Sequence, residues 1–246
     1  MKRIFCLFFA VLIATVSVFA EGGLGASLSS AEGRIGENPC DKIETPKINP
    51  YLPTVLSVGE VISILDSVDM SQGEGHRNRC MIEVLYSCGL RVSELISLKI
   101  SDLFLDEQFI RVFGKGGKQR LVPIGDPASQ AIRLYMEVRS AGPIARGCDD
   151  ILFLNRRGGK LSREMVFHIV KRQTAAAGVR KNVSPHTFRH SFATHMIENG
   201  ADLRVVQQML GHESILTTEI YTHIDTRKWQ ETILKFHPAG KRDRRK

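Results

Sequence analysis

SPHTFRHSFATHM, Ser184 to Met196, sets three histidines and one arginine among apolar residues that recur every fourth position. That period belongs to a helix. Phe188, Phe192 and Met196 fall on one stripe, which the spacing predicts to be buried. Ser184 is a good N-cap, and Pro185 suits the first helical position, where a missing N–H does no harm. His186, Arg189 and His190 fall on another face, where the small Ala193 leaves space beside them. His195 projects to the side opposite His186 and reads as a packing or surface histidine.

Metal and anion binding compete for this segment. The zincin pattern places Glu directly after the first His, but Thr187 stands there, and Arg189 would put a fixed positive charge beside the metal. An anion fits better. His186 and Arg189 occupy the first turn, where free N–H groups and the helix dipole favour negative charge. Arginine also presents a planar fork that matches phosphate oxygens. A solvated helix face would show the same residue types, so other segments must decide.

Downstream, Asn199-Gly200 ends this helix, Asp202 caps the next, and Gly211 ends that one. His212 then sits just past a helix terminus, and Tyr221 lies in the next helical stretch. A buried tyrosine with a satisfied hydroxyl is the plain reading of Tyr221. Upstream, FIRVFGKGGKQRLVPI, Phe109 to Ile124, places a Gly-rich turn at 114–117 between two β-rich runs and predicts a hairpin. The turn is no nucleotide P-loop, because the GK[ST] ending is missing. DILFLN, Asp150 to Asn155, is expected to be a third strand.

Helices are expected from Ser57, where Ser57 and Glu60 form a capping box. Further helices are expected in RNRCMIEVLYSCGL, with Met81, Val84 and Leu85 buried and Gly89 closing it, and in RVSELISL. Two more are expected over Pro127–Arg139 and Arg163–Ala177, with helices again almost to the end. The fold class is therefore α+β, mainly helical, with a small antiparallel three-stranded sheet.

Of 246 residues, 43% are apolar, enough for a packed core. Thirty-four Lys and Arg against 26 acids give a net charge of +8, which favours a polyanionic partner. Cys6, Cys40, Cys80, Cys88 and Cys148 form no CxxC pair, which suits reduced thiols better than a disulfide framework or a zinc knuckle. Residues 1–20 disagree with a cytosolic reading. They run from Lys2 and Arg3 through an apolar stretch to Val18-Phe19-Ala20, like an export signal. Residues 21–53 read as linker, and 239–246 as a basic tail.

GLRVSEL, GKGGKQRLVPI, SPHTFRHSFATHM and GADLRVVQQMLGH followed by TTEIYTHI, in this order, resemble the tyrosine recombinases (phage integrases), and among them the Xer-type enzymes, from about Thr54 to Pro238. The resemblance implies the catalytic fold of that family over 54–238. It implies attack of Tyr221 on a scissile phosphate to form a 3′-phosphotyrosyl link, with no metal, ATP or other cofactor. Arg91 and Arg189 then face the phosphate. His186 exchanges a proton with the tyrosine, and His212 donates a hydrogen bond to the phosphate. Lys115 protonates the departing 5′-oxygen, with Lys118 as a competitor in the same turn, and Glu94 orients Arg91. The implied partners are a double-stranded DNA recombination site and other recombinase subunits, four on DNA. TRKWQETILKF, with Trp229, Ile233 and Phe236, could pack on a neighbouring subunit or on its own domain.

The implied role is chromosome dimer resolution or mobile-element integration. A non-catalytic DNA-binding remnant is the alternative, because the resembled proteins carry a helical clamp domain of roughly a hundred residues ahead of the catalytic one. Residues 21–53 resemble only the last stretch of that clamp and its linker. A truncated, weakly DNA-binding chain in the cytoplasm is the expectation, against the signal-like residues 1–20. An exported metal-dependent hydrolase is a third reading, resting on that leader and the histidines.

Overall fold

The computed structural model describes residues 54–114, 117, 119–211 and 223–238, all within one compact unit. The expected leader, linker and basic tail lie outside the described residues, as do Lys115, Lys118, His212 and Tyr221.

Helix α1 (Val58–Asp66) begins with the expected capping box. Glu60 N–H donates to Ser57 Oγ (3.2 Å), and Ser57 N–H donates to the Glu60 carboxylate (2.7 Å). It buries Val61, Ile64 and Leu65, the 3.6-residue stripe of a helix with one dry face. Helix α2 (Gly75–Cys88) is buried along most of its length and stops where Gly89 takes φ 58°. A Cβ on Gly89 would come within 2.7 Å of the Phe192 ring, so the position is held by space as well as by φ. The other helices are α3 (Val92–Ser97), α4 (Asp126–Ser140), α5 (Arg163–Ala176), α6 (Pro185–Glu198), α7 (Leu203–Leu210) and α8 (His223–Phe236). α2 runs at the centre, packed against α4 and α6. Among the described residues no helix is long and apolar enough to cross a membrane.

Two hydrophobic cores meet along α6. Phe188 belongs to the first, built with α1, α2, α4, α5 and the sheet. Phe192 and Met196 belong to the second, with Val206, Met209, Trp229 and Ile233. All three predicted stripe residues are fully buried, each stabilising by about 1.5–3 kcal/mol. Trp229 and Ile233 thus pack on the chain's own domain, the second of the two options open for that helix.

The sheet is antiparallel, in the order β1 (Leu103–Phe104), β2 (Phe109–Phe113), β3 (Gln119–Pro123). The hairpin is the expected one, with Ile110 opposite Val122 and Val112 opposite Arg120. The third strand is not the expected DILFLN. Ile151 to Leu154 are buried, yet they make only two isolated bridges, Lys99 with Ile151 and Leu154 with Lys160. The guanidinium of Arg139 takes the carbonyls of Ile151 and Leu152 as well as those of Cys148 and Asp149. A side chain on α4 thus does there what a partner strand would do.

Candidate active site

Strand alternation explains the first unusual feature. Arg120 shares a face of β3 with Val122 and so points inward, where it is 6% exposed. A buried guanidinium must be paired. Arg120 donates through both Nη atoms to the two oxygens of Glu94 (2.7 and 3.0 Å) and through Nε to the Met209 carbonyl (3.0 Å).

Glu94 sits in the first turn of α3, and Arg91 is the N-cap residue of that helix. The Glu94 carboxylate accepts the Arg91 backbone N–H (2.8 Å) and Arg91 Nη1 (3.0 Å), so it holds the side chain expected to need orienting. Arg91 Nη2 donates to the Gly211 carbonyl (3.2 Å). Burial pushes the Glu94 carboxyl up, but the hydrogen bonds and charge of Arg120, then the backbone and side-chain hydrogen bonds from Arg91, outweigh it and hold it below the usual carboxylate value.

Arg189, one turn into α6, is only 8% exposed. It bridges two distant chain turns, donating to the carbonyls of Gly89 (2.7 Å) and Leu210 (2.6 Å). Burial, then repulsion from Arg91, pushes its pKa down to about 10. His186 and His190 are exposed on the same helix, so the face shared in projection divides into a buried arginine and two wet histidines. His195 is the packing histidine: it is buried, and its Nδ1 lies 2.9 Å from the Tyr86 hydroxyl.

The three arginines share an anchor. At the end of α7 the Gly211 N–H closes on Gln207 and Gln208. The next carbonyls, of Met209, Leu210 and Gly211, accept in turn from Arg120, Arg189 and Arg91. A helix C-terminus carries unpaired carbonyls and partial negative charge, so it gathers cations. The charges acting on Arg189 are those of Arg91, Glu94 and Arg120; with Arg189 itself, the described residues bring three guanidiniums and the Glu94 carboxylate into one small region. That surplus suits one added anion. In sequence, His212 follows Gly211 directly, and Lys115 falls between the residues of β2 and those of β3. Sequence reasoning missed Arg120, although Arg120, Val122 and Ile124 alternate on one face of the predicted strand and so mark a buried arginine.

Surplus cations gathered at one helix end, two of them buried, beside a hairpin, suit a protein that grips a phosphodiester group. The chain belongs to the phage integrase family, whose profile matches residues 54–228. It is 47% identical over 206 residues to Tyrosine recombinase XerD of Chlorobaculum tepidum, covering 82% of this chain and 68% of that one. It is 44% identical over 204 residues to the protein of the same name in Staphylococcus epidermidis, covering 83% and 69%. Among solved structures it is similar to XerA recombinase, with a TM-score of 0.61 and 34% identity over 73% of this chain and 65% of that one. It is similar also to XerH site-specific recombinase bound to its difH substrate, with a TM-score of 0.59 and 32% identity over 66% and 48%. The chain thus spans just over two thirds of the two XerD relatives and less than two thirds of these two solved chains. Its class is that of the tyrosine-type site-specific recombinases.

Proposed function

We propose that this chain cleaves and rejoins DNA strands through a 3′-phosphotyrosyl link on Tyr221. The observation that carries the reading is the cluster of Arg91, Arg120 and Arg189 around the carboxylate of Glu94, the one acid that acts on Arg189 among the described residues. Preset positive charge is what the extra negative charge of a phosphoryl transition state requires. Arg91 and Arg189 take the non-bridging oxygens, each with N–H groups left after its contacts among the described residues are counted. Lys115 is the acid for the 5′-oxygen, His186 exchanges the tyrosine proton, and His212 donates to the phosphate. Residues 54–238 form the catalytic domain. The partner is double-stranded DNA at a recombination site, occupied with other recombinase subunits. The reaction serves dimer resolution or integration, in the cytoplasm, where chromosomal DNA lies.

Trapping on nicked suicide duplexes, with EDTA present, tests this reading. A panel of dimer-resolution-like sites and four-way junctions covers the unidentified target. The expected result is a covalent protein–DNA band that disappears with Tyr221→Phe. Binding without any adduct would favour the non-catalytic remnant instead.

A further inference from the structure

We infer that Arg120 is a positioning residue of this same site: through Glu94 it sets Arg91, and through Met209 it ties strand β3 to the end of α7. The inference rests on the recombinase reading above. Arg120 is nearly buried and directs Nε, Nη1 and Nη2 at protein atoms, so it is not placed to touch DNA.

Stability alone is a poor reason for an arginine here. Val122, its neighbour on the inner face of the strand, and Ile124 just past the strand's end are aliphatic and buried. A buried ion pair is often no more stabilising than apolar side chains of the same volume. An aliphatic residue could not do two other things. It could not occupy both oxygens of Glu94, which leaves Arg91 a single side-chain contact with that carboxylate, at Oε1. Without Arg120 the carboxylate would neutralise Arg91 outright. Nor could it hold the Met209 carbonyl, the first of the three that gather the arginines. Arg120 therefore connects strand β3, which follows Lys115 in sequence, the Arg91–Glu94 pair, and the chain just before His212. Gly211 fits the same arrangement: its φ is 67°, and a Cβ there would press on the Arg120 side chain at 3.3 Å.

The test is single-turnover cleavage of a nicked duplex at saturating protein. Arg120→Lys, Arg91→Lys and the double variant run beside the parent, with DNA affinity and thermal unfolding measured for each. Arg120→Lys keeps the charge and loses the two-pronged contact. It is expected to slow cleavage about tenfold or more in the parent, but less than about threefold on the Arg91→Lys background, because residues that share a partner in one hydrogen-bond network are not additive. DNA affinity is expected to stay within a factor of about three, since Arg120 meets no phosphate. Equal losses on both backgrounds, or a stability loss with an unchanged rate, would overturn the inference. If Arg120→Lys melts below the assay temperature, the pair Arg120→Met with Glu94→Gln removes both buried charges together and leaves neither orphaned. That pair is expected to cleave as slowly as Arg91→Lys, and cleavage at the parent rate would overturn the inference. A parent chain that forms no adduct on any site removes the recombinase reading and this inference together. An active parent with additive variants removes this inference alone.

Discussion

Arg139 and Arg189 are each 8% exposed, and each directs its guanidinium at main-chain carbonyls. Arg139 serves one continuous segment, donating to the carbonyls of Cys148, Asp149, Ile151 and Leu152. Arg189 joins two turns that are far apart in the chain, at Gly89 and Leu210, and Arg91 and Arg120 press on it from nearby. Burial and hydrogen bonding are alike in kind. The company differs, and the company separates a staple from a site. A buried arginine that closes a loop is complete. A buried arginine crowded by two more, with the Glu94 carboxylate beside them, sits in a local excess of positive charge among the described residues.

Substitution should part the two regions most strongly in cleavage. Arg189→Ala is expected to lower the single-turnover rate by about 100–1,000-fold, as for loss of one preset donor to a transition-state oxyanion. Arg139→Met is expected to leave the rate per folded molecule unchanged. Similar rates for the two variants would dissolve the distinction.

Stability should order them the other way. Arg139→Met strips the partners from several buried carbonyls and is expected to destabilise by about 2–4 kcal/mol, read in thermal unfolding as roughly 2–4 °C per kcal/mol. Arg189→Ala also orphans two carbonyls but relieves repulsion from Arg91 and Arg120, so its Tm is expected to fall less. A larger fall for Arg189→Ala would mean that its repulsion had been overstated.

A free anion gives a smaller effect. Inorganic sulfate at ten times its Kd is expected to add about 1.4 kcal/mol to the parent. Arg139→Met should keep that gain and Arg189→Ala should lose it. Equal gains in both would mark a general salt effect on the folded state.

The smallest effect concerns pH, in a polar contact buried beside the second core. Burial pushes the His195 pKa below its ordinary 6.5, against the pull of the Glu198 charge. The unfolded chain then takes up this proton at higher pH than the folded chain. Stability from this group is complete above that ordinary value and is lost as pH falls through it towards the folded value. In His195→Gln, Tm should depend less on pH across this range. An unchanged dependence would assign the proton to another group.

Much of this was legible from residues alone, for physical reasons. The buried stripe Phe188, Phe192, Met196 follows from helical period, and the stops at Gly89 and Gly211 follow from the left-handed backbone that glycine accepts. The third strand was not legible. A short apolar run such as Ile151 to Leu154 is buried whether or not it has a ladder, and periodicity does not separate these cases. The true partner, Leu103–Phe104, is two residues long and carries no signal above noise. At the site, Arg91, Glu94 and Arg189 were readable and come together, but the part played by α7 was not. Which carbonyls are left over at a helix end, and which distant side chains reach them, depends on packing between segments about 90 and 120 residues apart in the chain.

The most direct measurement is a crystal structure of Tyr221→Phe on a nicked suicide duplex, asking which side chains meet the scissile phosphate. Arg91 and Arg189 are expected about 3 Å from its non-bridging oxygens, with Arg120 still on Glu94 and Met209. A scissile phosphate held elsewhere, for instance in the cleft lined by Arg77, Arg156, Arg157 and Arg172, would contradict the assignment of the arginines at the end of α7 as the phosphate site.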